Sequence, residues 1–304
     1  MKLIILLNIF LYCLCANEDL FEALPTETKS LSPKAKLGKL LFHDAILSKD
    51  NTISCASCHP LLQYGVDNLA KSLGVNQVVG KRNTPTVWNA RYNLAQFWDG
   101  RAKDLKEQAL MPITNPCEMN ETLEAVITKL KHSKAYNKHF GELYTDGVNV
   151  NNLADALATY GETLITPNSK FDQFLRGDKS ALSTKEREGF ELFKSKGCVA
   201  CHNGINVGGT LYQKIGMFEA FDSSEKPDLG RYNVTKNLFD KHVFKVPSLR
   251  NIEKTAPYFH DGSVETLKEA VETMAALQLG RELDETDIDK IVLFLKTLTG
   301  KVHE

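Results

Sequence analysis

Beyond residues 3–14 the 304-residue chain has no long apolar run, and it has almost no charge imbalance, few strand-like segments and no long low-complexity tract. Each shortage excludes something. A net charge of −1 with 25% charged residues gives no global reason to expect nucleic acid or a membrane surface as partner. The one apolar run is too short to span a bilayer, so the protein is not expected to be membrane-embedded. It reads instead as a secretory signal over residues 1–16: Lys2 supplies the positive region, Leu3 to Leu14 the apolar core, and Ala16 a small residue at the cut. A lipoprotein signal is the alternative, but Tyr12 and Leu14 are bulky where small residues precede a lipidated cysteine. Cysteine is scarce too, with seven in the chain, and cutting after Ala16 removes Cys13 and Cys15.

Four of the remaining five cysteines fall into two pentapeptides, Cys55-Ala-Ser-Cys58-His59 and Cys198-Val-Ala-Cys201-His202. Cys-x-x-Cys-His is the attachment signature of c-type haem. The two thiols bond to the macrocycle and the following imidazole ligates the iron. Two copies point to two covalently bound haems c. A structural zinc site also uses paired cysteines, but it does not require histidine after each pair. A thioredoxin-like dithiol needs a strand-then-helix context, which neither copy has.

Helical periodicity dominates the rest. Ser32-Pro33 caps a segment with Leu37, Leu40 and Leu41 at helical spacing, and 121–132 and 151–165 read as amphipathic helices. Ser183-Thr-Lys-Glu186 has the capping-box form and opens a helix ending near Gly197, while Asp284 precedes a last helix closed by Gly300. An internal repeat carries more information. Pro85…Asn89 matches Pro247…Asn251, Phe97-Trp-Asp-Gly100 matches Phe259-His-Asp-Gly262, and Leu105-Lys-Glu107 matches Leu267-Lys-Glu269, all at one offset of 162 residues. Gly-x-x-Leu-Phe also precedes each haem motif, at Gly38 and at Gly189. The expected fold is therefore mostly α, two copies of one haem-binding unit related by internal duplication. The first is expected over residues 17–166 and the second over 167–304, with the C-terminal segment packing back on the first.

Divergence between the copies suggests unequal roles. Trp98 stands where the second copy has His260. Met274, on a helix after Leu267, offers a thioether to the iron opposite His202; such ligation raises the potential, although a helical methionine is also ordinary core filler. In the first copy Gln108 and Glu118 flank Pro112 and Pro116. A carboxylate over an open haem can move a proton between peroxide oxygens, and an amide can polarise them. A carboxylate such as Glu118, read alone, is more often a solvated surface acid than a catalyst.

Together the paired motifs, Arg82-Asn-Thr-Pro-Thr86, Gln96-Phe-Trp-Asp-Gly-Arg-Ala102, Glu118-Met119, Pro257-Tyr-Phe-His-Asp-Gly262 and Met274 resemble the bacterial dihaem cytochrome c peroxidases, from about Ser32 to Gly300. The resemblance implies two facing cytochrome c-like haem domains, a periplasmic location and reduction of hydrogen peroxide to water. The electrons would come from a small redox protein, a monohaem cytochrome c or a copper protein. It implies a peroxidatic haem at Cys55, Cys58 and His59, with Gln108 and Glu118 in the peroxide pocket and Glu118 as acid/base. It further implies an electron-receiving haem at Cys198, Cys201, His202 and Met274, with Trp98 between the haems. Asn83 with the carbonyls of Thr255 and Pro257 matches a calcium site, and a homodimer is implied by the family alone.

Two features stand apart. Family members commonly carry a histidine in the loop between Ser72 and Arg82 that caps the peroxidatic iron until the other haem is reduced; here Val75 or Asn76 falls at that place, and no histidine occurs between His59 and His132. Cys117, directly before Glu118, is left over. Two other functions compete: a dihaem electron carrier with both irons six-coordinate, and a related haem oxidase acting on another substrate. Relatives that oxidise a protein side chain replace the methionine with tyrosine, so Met274 argues against that chemistry.

Overall fold

A computed structural model of the chain describes residues 20–26, 30–221 and 227–303; the expected leader lies outside them. The first half holds α1 (Pro33–His43), α2 (Cys55–Cys58), α3 (Leu105–Thr114), α4 (Leu123–His132), α5 (Lys134–Leu143) and α6 (Val150–Gly161). The second holds α7 (Lys170–Leu175), α8 (Thr184–Ser195), α9 (Tyr232–Thr235), α10 (Leu267–Leu279) and α11 (Glu285–Lys296), with one hairpin of β1 (Tyr212–Lys214) and β2 (Val243–Lys245). The fold is mostly helical, as the periodicity indicates. Local chemistry sets the helix starts. Ser32 Oγ accepts from the Ala35 N–H with Pro33 in the first turn, and Ser183 and Glu186 close a capping box on α8.

Each half is built on one helix crossing. In the first, α1 packs on α6, and a Cβ on Gly38 would overlap the Ala156 carbonyl. In the second, α8 packs on α11, and a Cβ on Gly189 would overlap the Lys290 carbonyl. The glycine of each Gly-x-x-Leu-Phe is thus what lets two backbones touch. Leu37, Leu41, Val126, Leu130, Phe140 and Leu153 fill the first core, and an aromatic cluster of Phe171, Phe190, Phe193 and Phe294 fills the second.

The terminal segments cross over. Residues 20–24, which the sequence places in the first half, lie against the second: Phe21 joins its aromatic cluster, and the Leu24 N–H donates to the buried carboxylate of Asp172. That carboxylate is also paired with Arg250, whose Nη2 donates to the Glu22 carbonyl. At the other end Val302 packs beside Trp88, and the His303 ring lies 5.0 Å from it.

Positions 162 residues apart have matching conformations. Asn89 and Asn251 are left-handed at φ 61° and 62°, as are Phe97 and Phe259 at 67° and 68°. Both asparagines donate from Nδ2 to the one Thr166 hydroxyl, at 2.8 and 2.9 Å.

Candidate haem sites and the seam between them

At the first motif α2 ends at His59, whose Nδ1 lies 2.9 Å from the Gly65 carbonyl. A carbonyl only accepts, so Nδ1 carries the proton and Nε2 keeps its lone pair. Burial holds the imidazole neutral by lowering its pKa. This is how proteins orient a histidine for a metal. At the second motif burial drives the His202 pKa down to about 4, and Nδ1 is sealed in without a well-formed hydrogen bond. Gly208 leaves room for that ring, since its hypothetical Cβ would stand 3.2 Å from Nδ1.

The cysteines are set as neutral thiols. Burial pushes Cys55 up to about 12, and Cys58 and Cys198 up to about 11; Cys201 rises for the same reason. Such surroundings suit an uncharged thioether better than the thiolates a zinc ion demands. Among the described residues no three His, Cys, Asp or Glu side chains converge as a metal cluster, so the two pairs do not form one site. Two neutral, buried imidazoles, each behind a pair of apolar thiols, fit two haems c.

Of the polar residues expected near the first motif, Glu118 is brought to it. Glu118 acts electrostatically on both Cys55 and Cys58, raising each. Its own pKa is raised by burial, opposed by a 2.6 Å hydrogen bond from Asn115 Nδ2 and by the charge of Arg101. The Asn115 side chain also accepts from the Cys117 N–H, at 3.0 Å, so a single asparagine shapes the turn and holds the acid. Sequence reading missed Asn115 and Arg101; the Asn-Pro turn two residues before Cys117 was the available signal. Gln108 is half-buried on α3.

Loop 72–82 closes over the acid's backbone. The Val75 N–H donates to the Glu118 carbonyl at 2.8 Å, and Gly74 lies so close to Cys117 that a Cβ would overlap its carbonyl. Val75 is buried, while Val78 and Val79 at the loop tip are exposed.

On the second side, Met274 is half-buried on α10. Leu279 at the end of that helix lies against Gly197, the residue before Cys198. Cys198 is under the influence of Arg281.

The halves join reciprocally. The Asn83 N–H donates to the His260 carbonyl at 2.8 Å, and the Lys245 N–H donates to the Trp98 carbonyl at 2.8 Å. Asn83 and Lys245 are partners at the 162-residue offset, and so are Trp98 and His260, which gives the contact the self-complementary form of a two-fold interface. Glycines allow the approach: Gly100 would meet Tyr212 if it carried a Cβ, and Gly262 would meet Ala70. Trp98 Nε1 donates to the Asn83 carbonyl at 2.9 Å, and its ring stands edge-on to His260 at 6.4 Å. The Asn83 side chain donates to the Leu69 carbonyl at 3.0 Å, which leaves its Oδ1 as the atom able to face a cation.

Comparison with known proteins supports a chain that carries two haems c. Residues 32–180 match the family described as di-haem cytochrome c peroxidase, and residues 186–299 match cytochrome c. The chain is 50% identical to the cytochrome c551 peroxidase of Nitrosomonas europaea, over 94% of this chain and 86% of that one. It is 43% identical to the cytochrome c551 peroxidase of Pseudomonas aeruginosa, over 93% and 85% of the two chains. In fold it is similar to a crystal structure of a MauG-like protein associated with microbial copper homeostasis, at a TM-score of 0.80 and 24% identity over 92% and 93% of the chains. The chain belongs to the di-haem cytochrome c peroxidase family and is an oxidoreductase of that kind.

Proposed function

We propose that the protein reduces hydrogen peroxide to water in the pocket beside His59, using electrons that arrive at the His202 side. The observation that carries this reading is the asymmetry of the two sites. A buried carboxylate with a raised pKa acts on Cys55 and Cys58, whereas Cys198 is influenced by a cation, Arg281. When bound, haem c supplies the iron centres and the one-electron steps. What the chain itself does can be stated residue by residue.

Cys55 and Cys58 would anchor one group and Cys198 and Cys201 the other, with His59 and His202 ligating the irons and Met274 offering a thioether to the group held by His202. Glu118, above its ordinary pKa but held in place by Asn115, takes a proton from the nearer peroxide oxygen and returns it to the farther one, which leaves as water. Gln108 orients the peroxide. Two electrons and two further protons complete the second water. Trp98, hydrogen-bonded to one half by its ring and to the other by its carbonyl, bridges the halves between the sites. A calcium ion held by Asn83 Oδ1 with the Thr255 and Pro257 carbonyls would brace the same seam, oxygen donors suiting a hard cation. The repeated conformations favour an origin of the halves, 17–166 and 167–304, by duplication. A periplasmic location, a monohaem cytochrome c or copper protein as donor, and a homodimer complete the reading.

The test is peroxide turnover by the purified protein with a reduced cytochrome c, wild type against Glu118→Gln. Turnover should fall by about two to four orders of magnitude. Unimpaired turnover contradicts the assignment of Glu118.

A further inference from the structure

Lys245 closes β2 at the centre of the seam, and only 7% of it is exposed. Among the described residues its side chain makes no hydrogen bond and no ion pair. The neighbouring carboxylates are already taken. Asp99 is bound by Arg82 at 2.6 Å and by Arg101 at 3.0 Å, and Asp228 is bound by Arg82 at 2.5 Å. A third arginine, Arg231, donates to the Asp99 backbone carbonyl at 3.2 Å. Arg82 and Arg101 thus take both carboxylates, Arg231 has that carbonyl and the face of the Tyr212 ring, and Lys245 is left with no side-chain partner among the described residues. A buried charge left unpaired is heavily penalised, so the seam as built calls for an anion that the side chains do not provide.

We propose that Lys245 is the counter-ion of a haem propionate at the seam and holds that carboxylate beside Trp98. The inference rests on the two-haem reading above and goes beyond it, because no feature of the attachment motifs requires a lysine here. Haem c brings two propionates that the protein must pair or leave to water. The backbone of Lys245 donates to the Trp98 carbonyl, so the residue that binds the propionate also fixes the aromatic between the sites. The counterpart of Lys245 in the first half, Asn83, is neutral and spends its amide on the Leu69 carbonyl, so the cation is supplied on one side only. Burial alone depresses the Lys245 amine to about 8, and a propionate partner would hold it charged. A fixed cation next to a haem stabilises its reduced, less positive state.

The experiment is a redox titration of the holoprotein for wild type, Lys245→Gln and Lys245→Arg. Glutamine is expected to shift one haem's oxidised-to-reduced ratio at fixed potential by tenfold or more, a potential lower by about 59 mV. Arginine, keeping the charge, should stay within threefold of wild type. Both potentials unmoved in Lys245→Gln, or Lys245→Arg moving as far as Lys245→Gln, overturns the proposal. Should Lys245→Gln fail to fold, a crystal structure of the wild-type holoprotein decides: the ammonium within hydrogen-bond distance of a propionate oxygen supports it, and an ammonium paired only with protein groups overturns it. Haem content of the same samples separates the two claims. Protein without covalent haem defeats the two-haem reading itself, while haem present with its propionates elsewhere defeats Lys245 alone.

Discussion

Burial of the Glu118 carboxyl costs stability once it is ionised. Burial raises its folded-state pKa above the unfolded value, so the carboxyl costs nothing at low pH, and a penalty develops as pH rises through the folded pKa. Glu118→Gln removes a buried charge while keeping an oxygen for Asn115, so thermal unfolding at neutral pH should show equal or greater stability as turnover collapses. A lower melting temperature would show that the charge is better compensated than its surroundings suggest. Asn115 supplies a second check. Its hydrogen bond favours the ionised acid, so Asn115→Ala should raise the Glu118 pKa further and move the acidic limb of kcat/KM to higher pH by about one unit, given the usual worth of a hydrogen bond to a charge. An unmoved limb would mean another group sets it. The attachment cysteines and both histidines were legible in the sequence because their chemistry is contiguous. Asn115, Arg101 and Lys245 were not, since each matters through a partner that folding brings near.

At the level of elements, the helix starts at Ser32 and Ser183 followed from their caps and the glycines of the crossings from the repeated Gly-x-x-Leu-Phe, yet nothing local foretold what those glycines touch. Gly189→Ala puts a methyl into the Lys290 carbonyl across the α8–α11 crossing, and backbone can yield little there. A loss of about 1–3 kcal/mol in denaturant unfolding is expected; a neutral result would show that the helices can separate freely. Loop 72–82 makes a different prediction. Val75 is buried and tied by its N–H to the Glu118 carbonyl, and neither it nor Asn76 brings an imidazole to the pocket. The fully oxidised protein should therefore react with peroxide at once, without prior reduction of the other haem. Stopped-flow mixing that shows no reaction until one electron is added would contradict this, as would paramagnetic resonance showing both irons low-spin and six-coordinate.

Over the whole molecule, two chain halves are locked by reciprocal backbone hydrogen bonds, a shared Thr166 and terminal segments that cross to the opposite core. The 162-residue repeat announced two similar units, but their mutual orientation could not be read, because donors such as Asn83 and acceptors such as His260 lie far apart in sequence. Crossing of residues 20–24 was hidden for the same reason. On the proposed reading the seam makes the division of labour a property of the assembly, since Trp98 would serve transfer only while both halves hold it. Met274 is the place to divide the two functions experimentally. Rapid mixing of the Met274→Ala holoprotein, separately with peroxide and with reduced cytochrome c, tests the central claim most directly. The account predicts that donor oxidation slows by about tenfold or more while the reaction with peroxide stays within about threefold of wild type, since thioether ligation raises a haem's potential and the peroxide pocket lies in the other half. Unchanged donor oxidation, or loss of the peroxide reaction in its place, would contradict it.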